Sequence, residues 1–200
     1  MNDSEVRLAV LSVAQRLFAR YGFKKTCMDE IAQGAHIGKA TIYQHFNSKE
    51  DLFAAVVKEE SQVLLDELRG AVEAAPDHEA KIRAFLRRRM SRIRELSNLH
   101  RVSEETLYEL LPMVEEARQE YLDKEVRLLG GVFEEAREAG VFDLEHPYLM
   151  AQTILGSLKG IEILFMRLKE PPGLEEGIDE ILRVFFRGLA PASSQQVERE

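Results

Sequence analysis

Between Thr26 and Lys49 the chain reads TCMDEIAQGAHIGKATIYQHFNSK, and its hydrogen-bonding side chains cluster on one short helical pattern. Lys39 stands at the start of that pattern, where its ammonium can donate to O6 and N7 of guanine or to a phosphate. Gln44 matches the donor and acceptor on the major-groove edge of adenine, and Ala40 can meet a thymine methyl. Thr41, Tyr43 and His45 carry donors for phosphate oxygens, contacts that set register without reading sequence. Lys49 opens the following helix, so its charge and the unpaired amides there suit one phosphate together. Thr26, at the opening of the preceding helix, completes the candidate DNA-binding set. The competing reading is a solvated polar face on a small helical hairpin.

Two short helices must position these groups. The first spans about Met28 to Ala35 and points Ile31, Ala32 and Ala35 inward. A turn, His36-Ile37-Gly38, leads to the second, about Lys39 to Phe46, with Ile42 and Phe46 inward. This is helix-turn-helix spacing, in which small Ala32 lets the helices approach and Ile42 fills the gap. A longer helix precedes the pair, from Ser4 as its cap to Tyr21, with Leu8, Leu11, Ala14 and Phe18 as its stripe and Gly22 as its stop.

The chain resembles the TetR family of bacterial transcriptional regulators. The likeness runs through Leu8, Ala14, Leu17, Phe18, Tyr21, Gly22, Thr26, Ile31, Ala32 and Ala35. It is densest in Thr41-Ile42-Tyr43-Gln44-His45-Phe46 and Ser48-Lys49-Glu50-Asp51-Leu52. It covers about the first quarter of the chain. Three positions depart from the family pattern. His36 replaces the usual turn glycine, at a place that needs a left-handed backbone. Gly38 replaces the usual serine cap. Cys27 stands where Ser or Thr is common, which leaves Thr26 as the expected capping hydroxyl, with Asp29 or Glu30 closing a capping box.

At 200 residues, 45% of them hydrophobic, the chain is long enough for one or two domains with a sizeable core. No apolar run of membrane-spanning length occurs, and the N-terminal MNDSEVR does not read as a signal peptide. A single cysteine excludes an internal disulfide and fits a reducing, cytoplasmic setting. The net charge of −8 argues against a general nucleic-acid binder. Its distribution does not: Arg16 to Lys49 holds six basic and two acidic residues, a local +4, so the remainder carries −12. A basic head on an acidic body orients a molecule on DNA and limits non-specific adhesion.

Helical periodicity continues to the end, so the fold class is all-α: a three-helix head over residues 1–48, a larger helical body over 49–190, and a disordered tail over 191–200. Ser48 caps a long helix to Glu73 whose Leu52, Phe53, Val56 and Val57 serve the head and whose Val63, Leu64 and Leu68 serve the body. Pro76-Asp77 opens the next, to Leu96, with Ile82, Phe85, Leu86 and Ile93 inward. A short helix, Ser103 to Leu111, and a long one, Pro112 to Ala139, follow. After a loop at Asp143 to Pro147 come helices at Pro147 to Leu168 and Leu174 to Leu189. The first of these two is apolar on most faces, which requires a core, an interface, or both at once. Ile154, Leu155, Leu158, Ile161 and Phe165, with Ile181 and Phe185 of the last helix, are the expected homodimer contacts, and Gly156 and Gly160 would admit a close helix. A four-helix interface is also what the resemblance implies.

Arg89 and Glu125 fall where the helical pattern asks for apolar residues. They pair with each other, or one anchors the polar end of a ligand, or both sit at a stripe's edge with their heads in water, which is the simplest reading. Phe85, Met90, Tyr108 and Met113, with Tyr121, Phe133 and Met166, are candidate walls of an apolar ligand site. The five histidines show no metal-ligand spacing and no glycine-rich phosphate loop appears, so no cofactor, metal or enzymatic activity is expected. The expected function is a cytoplasmic homodimeric repressor, released from a palindromic double-stranded operator by a hydrophobic or amphipathic small molecule. The alternatives are a regulator without an effector and a helical small-molecule enzyme.

Overall fold

The computed structural model describes residues 2–97, 104–167 and 174–189, and all the regular structure in them is helical. The helices are α1 (Asp3–Tyr21), α2 (Met28–Gly34), α3 (Lys39–His45), α4 (Lys49–Glu73), α5 (His78–Ser97), α6 (Glu104–Glu138), α7 (Pro147–Arg167) and α8 (Leu174–Leu189). The side chains of Tyr108, Phe165, Met166 and Ile181, and the expected tail, lie outside the described residues. No described helix is long and apolar enough to cross a membrane.

Local chemistry sets most boundaries. The cap of α1 is Asn2 and not Ser4: its side chain accepts from the Glu5 amide while the Glu5 carboxylate accepts from the Asn2 amide. The Ser48 hydroxyl accepts from the Asp51 amide at the start of α4, and the Asp77 carboxylate does the same for Ala80 at the start of α5. Gly140 ends α6 with a left-handed φ of 69°. The amides of Gly140 and Val141 then reach the carbonyls of Arg137 and Ala136, the double bond of a glycine C-terminal cap. One expected boundary is absent. Pro112 lies inside the single helix α6 instead of opening a new one. It lacks one N–H, and because it is exposed the loss falls on the solvent side of a long helix.

The chain divides into two compact units, one made of Met1–Val63 with Leu96–Tyr121, the other of Leu64–Glu95 with Leu122–Glu200. The first has its core where α1, α2, α3 and the start of α4 meet, around Val10, Ala14, Phe18, Ile31, Ile42, Phe46 and Leu52. Leu8 is exposed, because the buried stripe of α1 is centred on Val10 and Ala14 and Leu8 falls on the far side. The second unit packs Leu64, Leu68, Ile82, Phe85, Leu129, Phe133, Leu155 and Phe186 into one core. Val63 is exposed for the same phase reason, since Leu64, Leu65 and Leu68 carry the stripe there. In this unit Phe142 stacks on Phe186 at 6.0 Å, and the Asp143 amide donates to the Leu189 carbonyl at the end of α8.

Arg89 and Glu125 are not at an edge in water. They are 2% and 1% exposed, and Arg89 Nε donates to Glu125 Oε2 at 2.7 Å. The pair joins α5 to α6 inside the second unit. A buried charge stranded by loss of its partner is expensive, whereas replacing both partners by apolar groups often costs little. Arg89→Met is therefore expected to destabilise by about 3–5 kcal/mol, and Arg89→Met with Glu125→Leu to recover much of that, in urea unfolding.

Candidate DNA-binding surface

The seven-residue helix α3 is held by its two inward residues, Ile42 and Phe46, both buried. Beneath it α2 lies close to α1: a Cβ on Gly34 would meet Val13 Cγ1 at 2.8 Å, so this glycine, with buried Ala32, sets the approach. The turn between α2 and α3 takes the backbone that the residue pattern demands. His36 has φ 57°, the only positive φ outside glycine among the described residues. Its amide and that of Ile37 reach the carbonyls of Gln33 and Ala32, so a histidine fills the left-handed position that glycine usually holds. Gly38 caps α3 with its backbone alone.

Lys39, Ala40, Tyr43 and Gln44 are exposed together on α3, and Thr41 is half-buried beside them. The Lys39 ammonium meets the Asp29 carboxylate of α2 at 2.9 Å, with the two side chains 66% and 57% exposed. The hydrogen bond that Lys39 donates to Asp29, and then the Asp29 charge, raise the Lys39 pKa above the ordinary lysine value, so Lys39 is a full cation at any working pH. His45 is more enclosed than expected. Its side chain is 9% exposed, with Nε2 3.5 Å from Asp3, and Arg7 covers the Phe46 ring next to it at 4.6 Å.

Two expected DNA contacts have structural duties instead. Thr26 is 1% exposed, and its hydroxyl donates to the Gly22 and Leu17 carbonyls at the end of α1. It is not the cap of α2; Cys27 holds that position, and its amide donates to Glu30. Lys49 turns away from solvent. Its Nζ donates to the carbonyls of Phe23 at 2.9 Å and Thr26 at 3.1 Å and lies 4.3 Å from the Phe23 ring centre. Phe23 in turn packs with Phe18 and Phe53. The sequence reading missed Asp29 and Gly34. The signal for Asp29 was one of two acids in a basic stretch, and for Gly34 a glycine closing a helix.

The candidate ligand and dimer residues divide differently. Phe85, Met90 and Phe133 lie in the core of the second unit with the Arg89–Glu125 pair, whereas half-buried Met113 and Tyr121 belong to the first unit. Leu155 and Leu158 are buried in the chain's own core, and Ile154, Ile161 and Phe185 pack partly against it. Among the described residues, Leu155 and Leu158 thus serve the chain's own core, while Ile154, Ile161 and Phe185 keep part of their surface open. Its outer face carries Leu149, Thr153, Gly156 and Gly160, all exposed, with open space at both glycines. On α8 the exposed positions include Val184, at 62%, and Gly188.

A short exposed helix set by a tight turn on a supporting helix defines a helix-turn-helix protein. The family model for bacterial regulatory proteins of the tetR family matches residues 10–56, the segment that builds this surface. A relative from Bacillus subtilis strain 168, an uncharacterized HTH-type transcriptional regulator named YhgD, is 27% identical over 132 residues, 66% of this chain and 67% of the relative. The crystal structure of a transcriptional regulator from Cytophaga hutchinsonii superposes with a TM-score of 0.79 at 26% identity, covering 94% of this chain and all of that one. The flavonoid-responsive regulator FrrA superposes at 0.64 with 28% identity, over 94% of this chain and 99% of that one. Residues 10–56 thus resemble the DNA-binding segment of tetR-family proteins, and along its length the chain is similar to DNA-binding transcriptional regulators.

The two structural duties are separable from recognition. Lys49→Met should lower the melting temperature measured by circular dichroism, because two loop carbonyls lose their donor. Binding of the folded variant to its operator should stay within about twofold of the unmodified protein; a large loss of affinity in a folded variant would return Lys49 to the DNA-contact set.

Proposed function

We propose that this regulator is a homodimeric, cytoplasmic repressor without enzymatic activity, which binds a palindromic operator and leaves it when a hydrophobic or amphipathic small molecule binds the body. The observation that carries the DNA half is the exposed face of α3. Lys39 and Gln44 read base edges, Ala40 meets a thymine methyl, and Tyr43 and Thr41 fix register on phosphates. His45 adds to that set only at the edge, since most of its ring is covered. Two such helices in a symmetric dimer fit half-sites about one helical turn apart.

The dimer half rests on the outer faces of α7 and α8. Gly156 and Gly160 leave room for a second helix, and the Thr153 and Ser157 hydroxyls bond back to their own helix, which leaves that side smooth. The effector half rests on the second unit, whose core includes the adaptable apolar residues Phe85, Met90 and Phe133 and which also holds the buried Arg89–Glu125 pair. FrrA, which is called flavonoid-responsive, is a relative whose name fits an aromatic effector. Binding there favours an arrangement of α4, the helix that continues from the head into the body, that does not fit the operator.

Binding-site selection followed by titration tests the DNA half. Lys39→Ala should weaken operator binding about ten- to hundredfold and relax the preference at one base pair, whereas Tyr43→Phe should weaken all sequences alike. An unchanged base preference in Lys39→Ala contradicts this assignment. Native mass spectrometry of the protein from its own host tests the rest, with dimer mass and a retained small molecule expected. Val184→Glu should shift the protein to monomers, and a folded monomer of the unmodified protein at micromolar concentration would overturn the dimer.

A further inference from the structure

We infer that Asp29 is a specificity-determining residue, which holds the Lys39 ammonium for base edges and keeps it off the phosphates. The inference rests on the reading of α3 as the DNA-reading helix. Asp29 lies in the first turn of α2 and Lys39 in the first turn of α3, so the pair bridges the two helices of the motif across ten residues of sequence. The segment around it is basic, and Asp29 and Glu30 are its two acids. Glu30 is engaged with the backbone at the start of its own helix. Asp29 instead places its charge against the one lysine exposed on α3, at 2.9 Å.

An exposed carboxylate on a DNA-facing surface is repelled by phosphates, so its position needs a reason. A lysine side chain is long and mobile, and its ammonium is a point charge that any phosphate attracts. Without a restraint Lys39 swings to the nearest phosphate and contributes equally to every sequence. An ammonium has three N–H donors. With one donated to Asp29, two remain for O6 and N7 of a guanine, and the attachment point no longer wanders. The carboxylate cancels much of the charge that would draw Lys39 to the backbone. It leaves the hydrogen-bond donors that distinguish one base from another. Asp29 therefore lowers affinity for DNA in general and raises the ratio of specific to non-specific binding.

The test is Asp29→Asn, which keeps shape and helix position and removes the charge. Affinity for the operator selected by the unmodified protein, and for a random-sequence duplex, is measured against salt concentration, with melting curves to show that each variant is folded. Asp29→Asn should bind the random duplex more tightly and lose specificity. Its plot of log affinity against log salt should steepen by about 0.9 per head, the signature of one added phosphate contact. In Lys39→Ala the slope should not exceed that of the unmodified protein, and adding Asp29→Asn to Lys39→Ala should change slope and specificity much less than Asp29→Asn does with Lys39 present. If Asp29→Asn acts as strongly with Lys39 absent as with it present, Asp29 is a plain repulsive charge and the proposal is overturned. An unchanged slope and specificity ratio in Asp29→Asn alone overturns it as well. If the unmodified protein selects no sequence at all, the reading of α3 falls and this inference with it.

Discussion

A helix of seven residues is too short to persist in water by itself, and the proposed DNA-reading surface of this protein is such a helix. Its existence depends on burying Ile42 and Phe46 in the head core. The surrounding features follow from that requirement. Gly34 gives α2 its close seat on α1, His36 turns the chain within two residues, and Arg7 closes over the outer side of Phe46. The polar residues of α3 are then presented by default, because every inward position is already used. Recognition chemistry here is the remainder after packing, and a change at Ile42 would disable DNA reading without touching any group that meets DNA.

Periodicity with end chemistry placed most of the helices within one or two residues, because most stripes were continuous and most ends carried a chemical stop. Gly22, Ser48, Asp77, Gly140 and Pro147 are legible for that reason. The misreadings came from residues with two equally good uses. Thr26 and Lys49 carry donors suited to phosphate. Which use wins depends on whether the loop after α1 brings its carbonyls to them, and that is a matter of tertiary distance. Pro112 read as a start because its missing N–H suits a first turn, yet an exposed proline also fits within a long helix. The apolar excess of α7 was legible as a quantity but not as a direction. Among the described residues Ala151, Leu155 and Leu158 serve the chain's own core, and Gly156 and Gly160 are left facing out.

The Arg89–Glu125 pair shows the same limit in the body. The phase of each helix placed both residues inward, but one stripe cannot show that the other, 36 residues away, supplies the opposite charge. Once paired they cost little to keep and much to separate, which gives the second unit a feature of orientation that an all-apolar core lacks. α5 and α6 can shift past each other only by carrying both charges along.

Lys49 is both the first residue of α4 and the donor that bonds the loop between α1 and α2. The beginning of the long helix is thereby fastened to the loop that follows α1. Phe23 lies against that anchor and packs with Phe18 and Phe53, so an ammonium and an aromatic cluster together join the first turn of α4 to α1. A displacement of the first turn of α4 is therefore shared by the loop after α1.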